Sequence, residues 1–305
     1  MHLYSKAAGL GSIGSKAAMD ALLNEIILNA VRQNRIKYVP GNGDELCEAE
    51  ICEKIFDVGT TFFGGWGYIV IRGLYSPVSK TFTRQFYFPL VVGNVPHSDM
   101  KLSMERHNDK EAYYVNCMDD CREIAPIFFL GNIIEFLNMD SDVLAAGRNY
   151  VYLGGLCREG KVLLPIYKSQ NQIKKLNKER IKRIDLIKSA YNGSQEAMAN
   201  LTIVDYDIMT KLSKRILTED VLSVVDTSFL PSGMECDAYS VIGNIIDCTK
   251  TTNTITGEEL YFLNLECNNV YVSVVVNAKD LYGIPQPGFR FSGRIWLQGI
   301  IRQAN

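Results

Sequence analysis

The sequence lacks most of the short patterns that indicate a particular chemistry. Its 305 residues include only three histidines and no HExxH motif, which excludes the usual pattern of a zinc hydrolase. The eight cysteines contain no CxxC pair, so the common zinc-finger and thioredoxin spacings are also excluded. We therefore predict no metal site and no cofactor.

Long apolar runs and an excess of one charge are also missing. No apolar run reaches the roughly 18 residues of a membrane span, and the first residues lack the basic start and apolar core of a signal peptide. Lysine and arginine number 32 against 34 acidic residues, a net charge of −2, which argues against wholesale attraction to nucleic acid or anionic membrane. We predict a cytoplasmic protein without membrane contact, whose cysteines are small buried residues.

What is present is the composition of a folded, multi-domain protein. A chain of 305 residues is long for one core, so two or three domains are expected. We predict an α+β fold in three parts. Residues 1–165 form an antiparallel sheet with a helix, residues 166–232 form a helical hairpin that connects the domains, and residues 233–305 form a small OB-like Greek-key β-barrel.

The C-terminal region contains the clearest strand pattern. Residues 259–267 and 270–277 alternate in polarity and are joined by two asparagines, which tolerate the positive φ of a two-residue hairpin turn. In that register Leu263 lies opposite Val274 on a buried face, and the other face is expected to be mostly exposed to water. Val274→Asp should therefore unfold the domain, whereas Ser273→Asp should be tolerated.

The strands around this hairpin follow the order of a Greek-key barrel. The strand at 238–248 contains Gly243 where a strongly bent first strand requires a glycine. After the hairpin, residues 278–282 are long enough for about one helical turn, and a glycine-rich strand at 289–299 returns. This order is typical of an OB-type barrel.

The N-terminal region begins with a motif that does not fit its usual function. Residues 9–14 read GxGxxG, but a dinucleotide site needs a buried strand before the motif, and too few residues precede it. Ser15 is instead predicted to cap a helix from Lys16 to about Gln33. Strands predicted at 68–73, 82–89, 111–116 and 124–130 complete the first domain.

One dense polar cluster lies in this domain, at residues 104–111. If the segment is extended, Glu105 and His107 share a face, and if it is helical, His107 and Glu111 pair at i, i+4. A carboxylate beside an imidazole is the minimal acid/base pair, so these three are the candidate catalytic residues. Neither arrangement supplies a nucleophile, and such clusters are usually solvated, so an enzyme is the less favoured interpretation.

The candidate binding site combines a basic helix with the last strand. Residues 168–188 hold eight basic and two acidic residues, although their apolar spacing is also typical of an ordinary solvated helix. On the outward face of the last strand, arginine beside tryptophan suits a groove that stacks bases and follows phosphates, unless Trp296 is simply core. The candidate ligand-binding residues are Arg290, Arg294, Trp296, Gln298, Tyr271, Lys174, Lys175 and Lys182.

Several segments of the chain resemble a bacterial family of domains of unknown function, found mainly in clostridial relatives. These segments are residues 1–7, 87–89, 105–107, 110–113, 233–240 and 288–299. The resemblance runs the whole length and implies a cytoplasmic bacterial protein. It supplies no catalytic residue, substrate or cofactor.

Two functions from different classes therefore remain. We favour a non-enzymatic binding or scaffolding protein that uses its OB-like domain, with a protein partner slightly preferred over weakly bound nucleic acid. The alternative is a hydrolase-type enzyme that uses the cluster around Glu105 and His107. The sequence does not predict the oligomeric state.

Overall fold

The computed structural model describes residues 2–40, 46–59, 63–98, 101–106, 112–118, 125–139 and 149–303. Helices take about 26% and strands about 45% of the chain, so the predicted α+β class is confirmed. The described helices are α1 (Lys16–Arg32), α2 (Ile133–Leu137), α3 (Gln170–Tyr191), α4 (Gln195–Ile216) and α5 (Val221–Val224).

The first sheet is antiparallel and follows the chain order. Its strands are β1 (Lys37–Tyr38), β2 (Cys47–Asp57), β3 (Gly65–Ser76) and β4 (Thr81–Gly93). Helix α1 begins where the sequence predicts, because the side chain of Ser15 accepts a hydrogen bond from the Ala18 N–H at 3.1 Å. Its buried residues, among them Met19 and Leu23, belong to the core that covers this sheet.

The second sheet contains eleven strands from both halves of the chain. They are β5 (Pro96–His97), β6 (Lys101–Arg106), β7 (Tyr113–Met118), β8 (Ile127–Leu130), β9 (Asn149–Leu163), β10 (Ser228–Pro231), β11 (Ala238–Thr252), β12 (Glu259–Cys267), β13 (Val270–Asn277), β14 (Leu281–Tyr282) and β15 (Arg290–Gln303). Strand β8 pairs with β15, and β7 and β6 extend the sheet from there.

Five of these strands form a ring of backbone pairings. Strand β11 pairs with β12, β12 with β13, β13 with β9, β9 with β15, and β15 returns to β11. The pairing of β13 with β9 is parallel and the other four are antiparallel. The predicted domain boundary after residue 165 therefore separates strands that pair with each other, and the three-domain division stays a prediction.

The predicted hairpin register is confirmed. Strands β12 and β13 place Leu263 opposite Val274. The two turn residues, Asn268 and Asn269, have φ values of 50° and 66°, which is the left-handed conformation that asparagine tolerates best among residues with a Cβ. The bent first strand is also present, because β11 pairs with β15 over its first half and with β12 over its second.

Each side of the ring faces its own core. One core takes a residue from every ring strand, including Val241, Leu265, Val274, Leu153 and Ile295; we call this side the inner face. The opposite, outer face contributes to a second core, which it shares with α1 and the first sheet. The ring is therefore buried on both sides wherever the first sheet covers it.

This second core overturns one expectation. The outer face of the β12–β13 hairpin was predicted to be mostly exposed to water, but Phe262 and Val275 are fully buried and Asn264 and Ser273 are at most 3% exposed. The two polar residues are hydrogen-bonded, since Ser273 Oγ lies 2.7 Å from Asn264 Oδ1 and Asn264 donates to the Phe63 carbonyl. Alternation correctly predicted which residues share a face, but it could not show that each face is covered by a core of its own.

The predicted helical hairpin is formed by α3 and α4, which we call the helical arm. The two helices contact each other, with an ion pair between Arg183 and Asp205 at 3.0 Å. Among the arm side chains that the structure describes, Ala197 is the buried one. Within the described ranges, neither the arm nor any other helix is long and apolar enough to cross a membrane.

Candidate functional site

The predicted acid/base cluster is only partly visible. Glu105 is exposed near the end of β6, opposite Tyr114 of β7. His107 and Glu111 lie outside the described residues, so their distances to Glu105 cannot support a catalytic role. Within the described ranges, no group of three or more His, Cys, Asp or Glu residues is arranged to hold a metal ion.

The outward exposure predicted for Arg290 and Gln298 on the last strand is wrong, and Trp296 is a core residue, the alternative that the sequence left open. Arg290 is 4% exposed, Trp296 is 7% exposed and Gln298 is fully buried. The Arg290 guanidinium donates to three backbone carbonyls at the base of the helical arm, at 2.7 to 3.0 Å. The Gln298 amide oxygen accepts a hydrogen bond from the Val91 N–H, and its Nε2 donates to the Pro89 carbonyl, both in β4. These side chains join β15 to its neighbours, because the first sheet lies against Gln298 and the chain flanking the arm lies against Arg290.

The remaining predicted residues are exposed but lie on different elements. Tyr271 is 39% exposed on β13, and its carbonyl lies 2.7 Å from His97 Nε2. Arg294 is exposed on β15 and donates to the Ser232 carbonyl at 3.0 Å. The lysines, Lys174, Lys175 and Lys182, are exposed on α3. A single basic surface that joins Arg294 to these lysines stays a prediction.

The structure shows a site that the sequence did not predict, a cavity of about 450 Å³ between the two sheets. We call it the aromatic pocket. Its walls come from the N-terminal segment, from β4, β7, β8 and β15, and from the turn before β11. The described lining residues are His2, Leu3, Tyr4, Phe86, Tyr87, Phe88, Ala112, Tyr114, Phe129, Glu235, Asp237 and Trp296.

Trp296 is the centre of the aromatic wall. Its ring centroid lies 5.3 Å from that of Tyr4, 4.9 Å from that of His2 and 5.2 Å from that of Phe129. The indole Nε1–H donates to Asp237 Oδ2 at 2.6 Å. Because buried aromatic pairs at such distances contribute beyond their area, this cluster holds Trp296 in one orientation.

Two carboxylates set the electrostatics of the pocket. Asp237 is 4% exposed and Glu235 is exposed on the same turn. Burial raises the pKa of Tyr114 to about 12, with Asp237 and Glu235 as further causes. Burial also raises the pKa of Tyr4, and the same two carboxylates add to that effect. Both phenols therefore stay protonated at neutral pH, and the two carboxylates act on both of these lining residues.

The imidazole of His2 adds no positive charge at neutral pH. Burial lowers the pKa of His2 to about 4, so the ring is neutral at pH values well above that. Its Nδ1 accepts a hydrogen bond from the Tyr4 N–H at 3.3 Å, and its backbone N–H donates to the Tyr87 hydroxyl. These bonds attach the N-terminal segment to the pocket wall.

A second, wider cleft of about 1200 Å³ lies beside β1 and α2. Its charged side chains already contact other protein groups: Lys37 Nζ lies 3.6 Å from Glu135, and the Arg302 guanidinium lies 5.4 Å from the centroid of the Tyr152 ring. This cleft is therefore a weaker candidate for binding a charged ligand than the aromatic pocket is.

Glu50 lies in the first sheet close to this cleft. It is 1% exposed, and its cross-strand neighbours are Lys37 and Arg72. Burial raises the pKa of its carboxyl to about 7, although the two cations oppose that shift. Within the described residues its Oε2 has no hydrogen-bond partner. Glu50 is therefore a buried proton-binding group outside the aromatic pocket.

No local motif predicts the aromatic pocket, because its residues are spread from His2 to Trp296. The one signal in the sequence is the set of segments that carry the family resemblance. Five of the six segments by which the chain resembles the clostridial-type family supply a lining residue, and only residues 105–107 do not. Folding alone brings these segments together.

The fold and the site define a mixed α+β protein in which an aromatic pocket lies between the first sheet and the second sheet, which contains the five-stranded ring. The chain belongs to a family of domains of unknown function, which confirms the resemblance. The family model, described as "Domain of unknown function, E. rectale Gene description (DUF3881)", matches residues 5–299. Comparison with curated proteins and with solved structures finds no match.

Proposed function

We propose that this chain is a non-enzymatic binding protein that holds its ligand in the aromatic pocket. The observation that supports this proposal most directly is the shape and lining of the pocket. A cavity of about 450 Å³ with aromatic walls and two carboxylates matches small-ligand sites, which are mostly apolar, contain a few placed polar groups and measure roughly 300 to 1,000 Å³.

We further propose that the five-stranded ring is an OB-like barrel. Its support is the set of pairings, with one parallel contact between β13 and β9 and a short 3₁₀ turn, Ala278–Asp280, after β13. Strand β9 takes the place of the closing strand although it precedes the others in the chain. Barrels of this type bind ligands on one outer face and in the adjoining loops, and Trp296 belongs to the outer face of this ring.

A protein partner remains slightly preferred over nucleic acid in this proposal. Arg290 and Gln298 already bond the backbone. Two of the residues predicted for a base-stacking and phosphate-binding groove are therefore not available to a nucleic acid. A cytoplasmic location and the three-domain division also remain part of the proposal. None of the described cysteines forms a disulfide, which is consistent with a reducing compartment.

The natural tryptophans allow a direct test. The chain has two, and Trp66→Phe leaves Trp296 as the only indole reporter in the pocket. We expect at least one probe from a panel of cyclohexanol, choline and benzoate to change the Trp296 emission saturably. The same probe should raise the melting temperature, because a ligand that binds only the folded state stabilises it.

Two phenylalanines on β4 provide the matched variants. Phe86 lines the pocket, whereas Phe82 is equally half-buried but lies outside the lining. In the Trp66→Phe background, Phe86→Ala should weaken the response and Phe82→Ala should not. A folded protein that shows no saturable response to any of the three probes at millimolar concentration would contradict the proposed function.

A further inference from the structure

We infer that the aromatic pocket takes an organic cation, specifically an alkylated ammonium group, so that this inference rests on the proposed function and names its ligand class. Both parts of the wall favour this chemistry. Aromatic rings attract a cation placed over their faces within roughly 6 Å, and carboxylates add a direct charge interaction. Neither part of the wall favours an anion.

The rings that line the pocket differ in orientation. Tyr4 is inclined to Trp296 by 28°, Phe129 by 51° and Phe88 by 77°. All four line the cavity of about 450 Å³, so a ligand in it meets aromatic side chains from several elements. Alkyl groups on a cation would contact this apolar wall while the charge is distributed over them, which suits a weakly hydrated ammonium better than a bare one.

The charge of the lining is the second observation. Asp237 and Glu235 contribute two carboxylates, and none of the described lining residues is a lysine or an arginine. Burial and Glu235 raise the pKa of Tyr4, and Arg294 and Arg158 oppose that shift, but neither arginine lines the pocket, and the Arg294 guanidinium bonds the Ser232 carbonyl. An anionic ligand would meet two carboxylates in a desolvated space, where like charges repel most strongly.

The ammonium group has two sources with the same chemistry. It is either a free small amine or the side chain of a trimethylated lysine in a protein partner. Glu235 lines the pocket and is exposed, so this part of the wall is within reach of a partner's side chain as well as of a free amine. Both sources present the same alkylated ammonium group to the pocket, so the relative affinities of a free-amine probe and a peptide probe must distinguish them.

The test uses the full chain with Trp66→Phe and follows Trp296 fluorescence and calorimetry. The probes are choline, its uncharged isostere in which carbon replaces the ammonium nitrogen, and a short peptide with one trimethylated lysine. We expect choline or the peptide to bind at least about tenfold more tightly than the isostere. Tighter binding of the peptide assigns the source to a protein partner, and tighter binding of choline assigns it to a free amine.

Charge-neutral variants test the role of the carboxylates. Asp237→Asn keeps an oxygen acceptor for the Trp296 indole, and Glu235→Gln changes an exposed position that folding does not need. Each should weaken choline binding severalfold without changing isostere binding, and added salt should reduce the difference. Glu196→Gln, an exposed carboxylate at the start of α4, is the control and should leave both affinities unchanged.

The failure of this inference is distinguishable from the failure of the proposed function. Equal affinity for choline, the isostere and the peptide would overturn the inference that the ligand is a cation. The proposal that the pocket binds a small ligand would stand in that case. Unchanged choline binding in both carboxylate variants would also overturn it. If no probe binds at all, the proposed function fails as well.

Discussion

The ring and the helical arm are built from equally regular apolar patterns, yet they end up in opposite environments. Val274 and Phe262, on opposite faces of the ring, are both fully buried. On the arm, Ile203 is 66% exposed, Tyr206 is 76% exposed and Met209 is 62% exposed. Periodicity therefore identifies which residues share a face, and the tertiary structure decides whether anything covers that face.

The two regions meet at a small polar junction. Arg290 of β15 donates to the carbonyls of Leu164, Leu222 and Val225, which flank the arm in the chain. Beside it, Lys168 and Asp226 form an ion pair across the same base. Hydrogen bonds and charge therefore join the chain at the base of the arm to the ring, and none of the arm side chains that the structure describes belongs to either apolar core.

The largest effect is expected for a charge placed inside the ring. Val274→Asp should lower the free energy of unfolding by roughly 4 kcal/mol or more, because an unpaired charge would be buried. Ser273→Asp should cost at least about 2 kcal/mol, since it places a carboxylate at a buried position and removes the hydroxyl that bonds Asn264. Urea denaturation of both variants measures the two losses.

Tyr271, on the same strand and 39% exposed, is the control for this comparison. Tyr271→Asp should change the free energy of unfolding by less than about 1 kcal/mol. If Ser273→Asp were as stable as the wild type, the outer face of the hairpin would have to be exposed, as the sequence alone predicts.

The buried carboxyl of Glu50, in the first sheet, should make the free energy of unfolding depend on pH. The folded pKa of Glu50 is about 7, above its ordinary value of 4.5, so the wild type should lose stability as pH rises from about 4.5 to about 7. The loss is about 3 kcal/mol for such a shift. Glu50→Gln cannot titrate, so its stability relative to the wild type should rise by this amount over that window.

Urea denaturation at several pH values measures the trend, and Glu53→Gln on the same strand is the control. Glu53 forms an exposed ion pair with Arg35, so its loss should not produce the trend of Glu50. An identical pH profile in the two variants would contradict the assignment of the effect to the buried carboxyl.

A smaller effect is expected at the junction between ring and arm. Arg290→Lys keeps the charge but cannot reach three carbonyls at once, so the free energy of unfolding should fall by about 2 kcal/mol. Hydrogen exchange should rise at the base of the arm while the inner strands of the ring stay protected. Arg294→Lys, which loses one exposed hydrogen bond, is the control, and equal exchange in both variants would contradict this role of Arg290.

The smallest effect on stability is expected on the surface. Replacing Lys174, Lys175, Lys182 and Arg294 together by glutamate should change the free energy of unfolding by less than about 1 kcal/mol, because none of these side chains is buried. We expect the wild type to bind single-stranded nucleic acid weakly or not at all at about 50 mM salt, and the variant to show none. Salt-resistant retention that survives the fourfold change in a mobility assay would contradict the preference for a protein partner.

Much of the local structure was predictable because its causes are local. The Asn268-Asn269 turn, the Ser15 cap and the pairing of Leu263 with Val274 all depend on neighbouring residues. The burial of Arg290 and Gln298 was not predictable, because alternation cannot show that the first sheet, or the chain flanking the arm, lies against the outward side of β15.

The sequence by itself determined the elements, their caps and turns, and the register of the hairpin, since these follow from backbone preferences and from the period of the side chains. Only the tertiary structure decided that β9 closes the ring and that residues from His2 to Trp296 enclose one pocket. Such contacts join residues far apart in the chain, and no local preference specifies them. They depend on which apolar faces bury one another best when the whole chain folds.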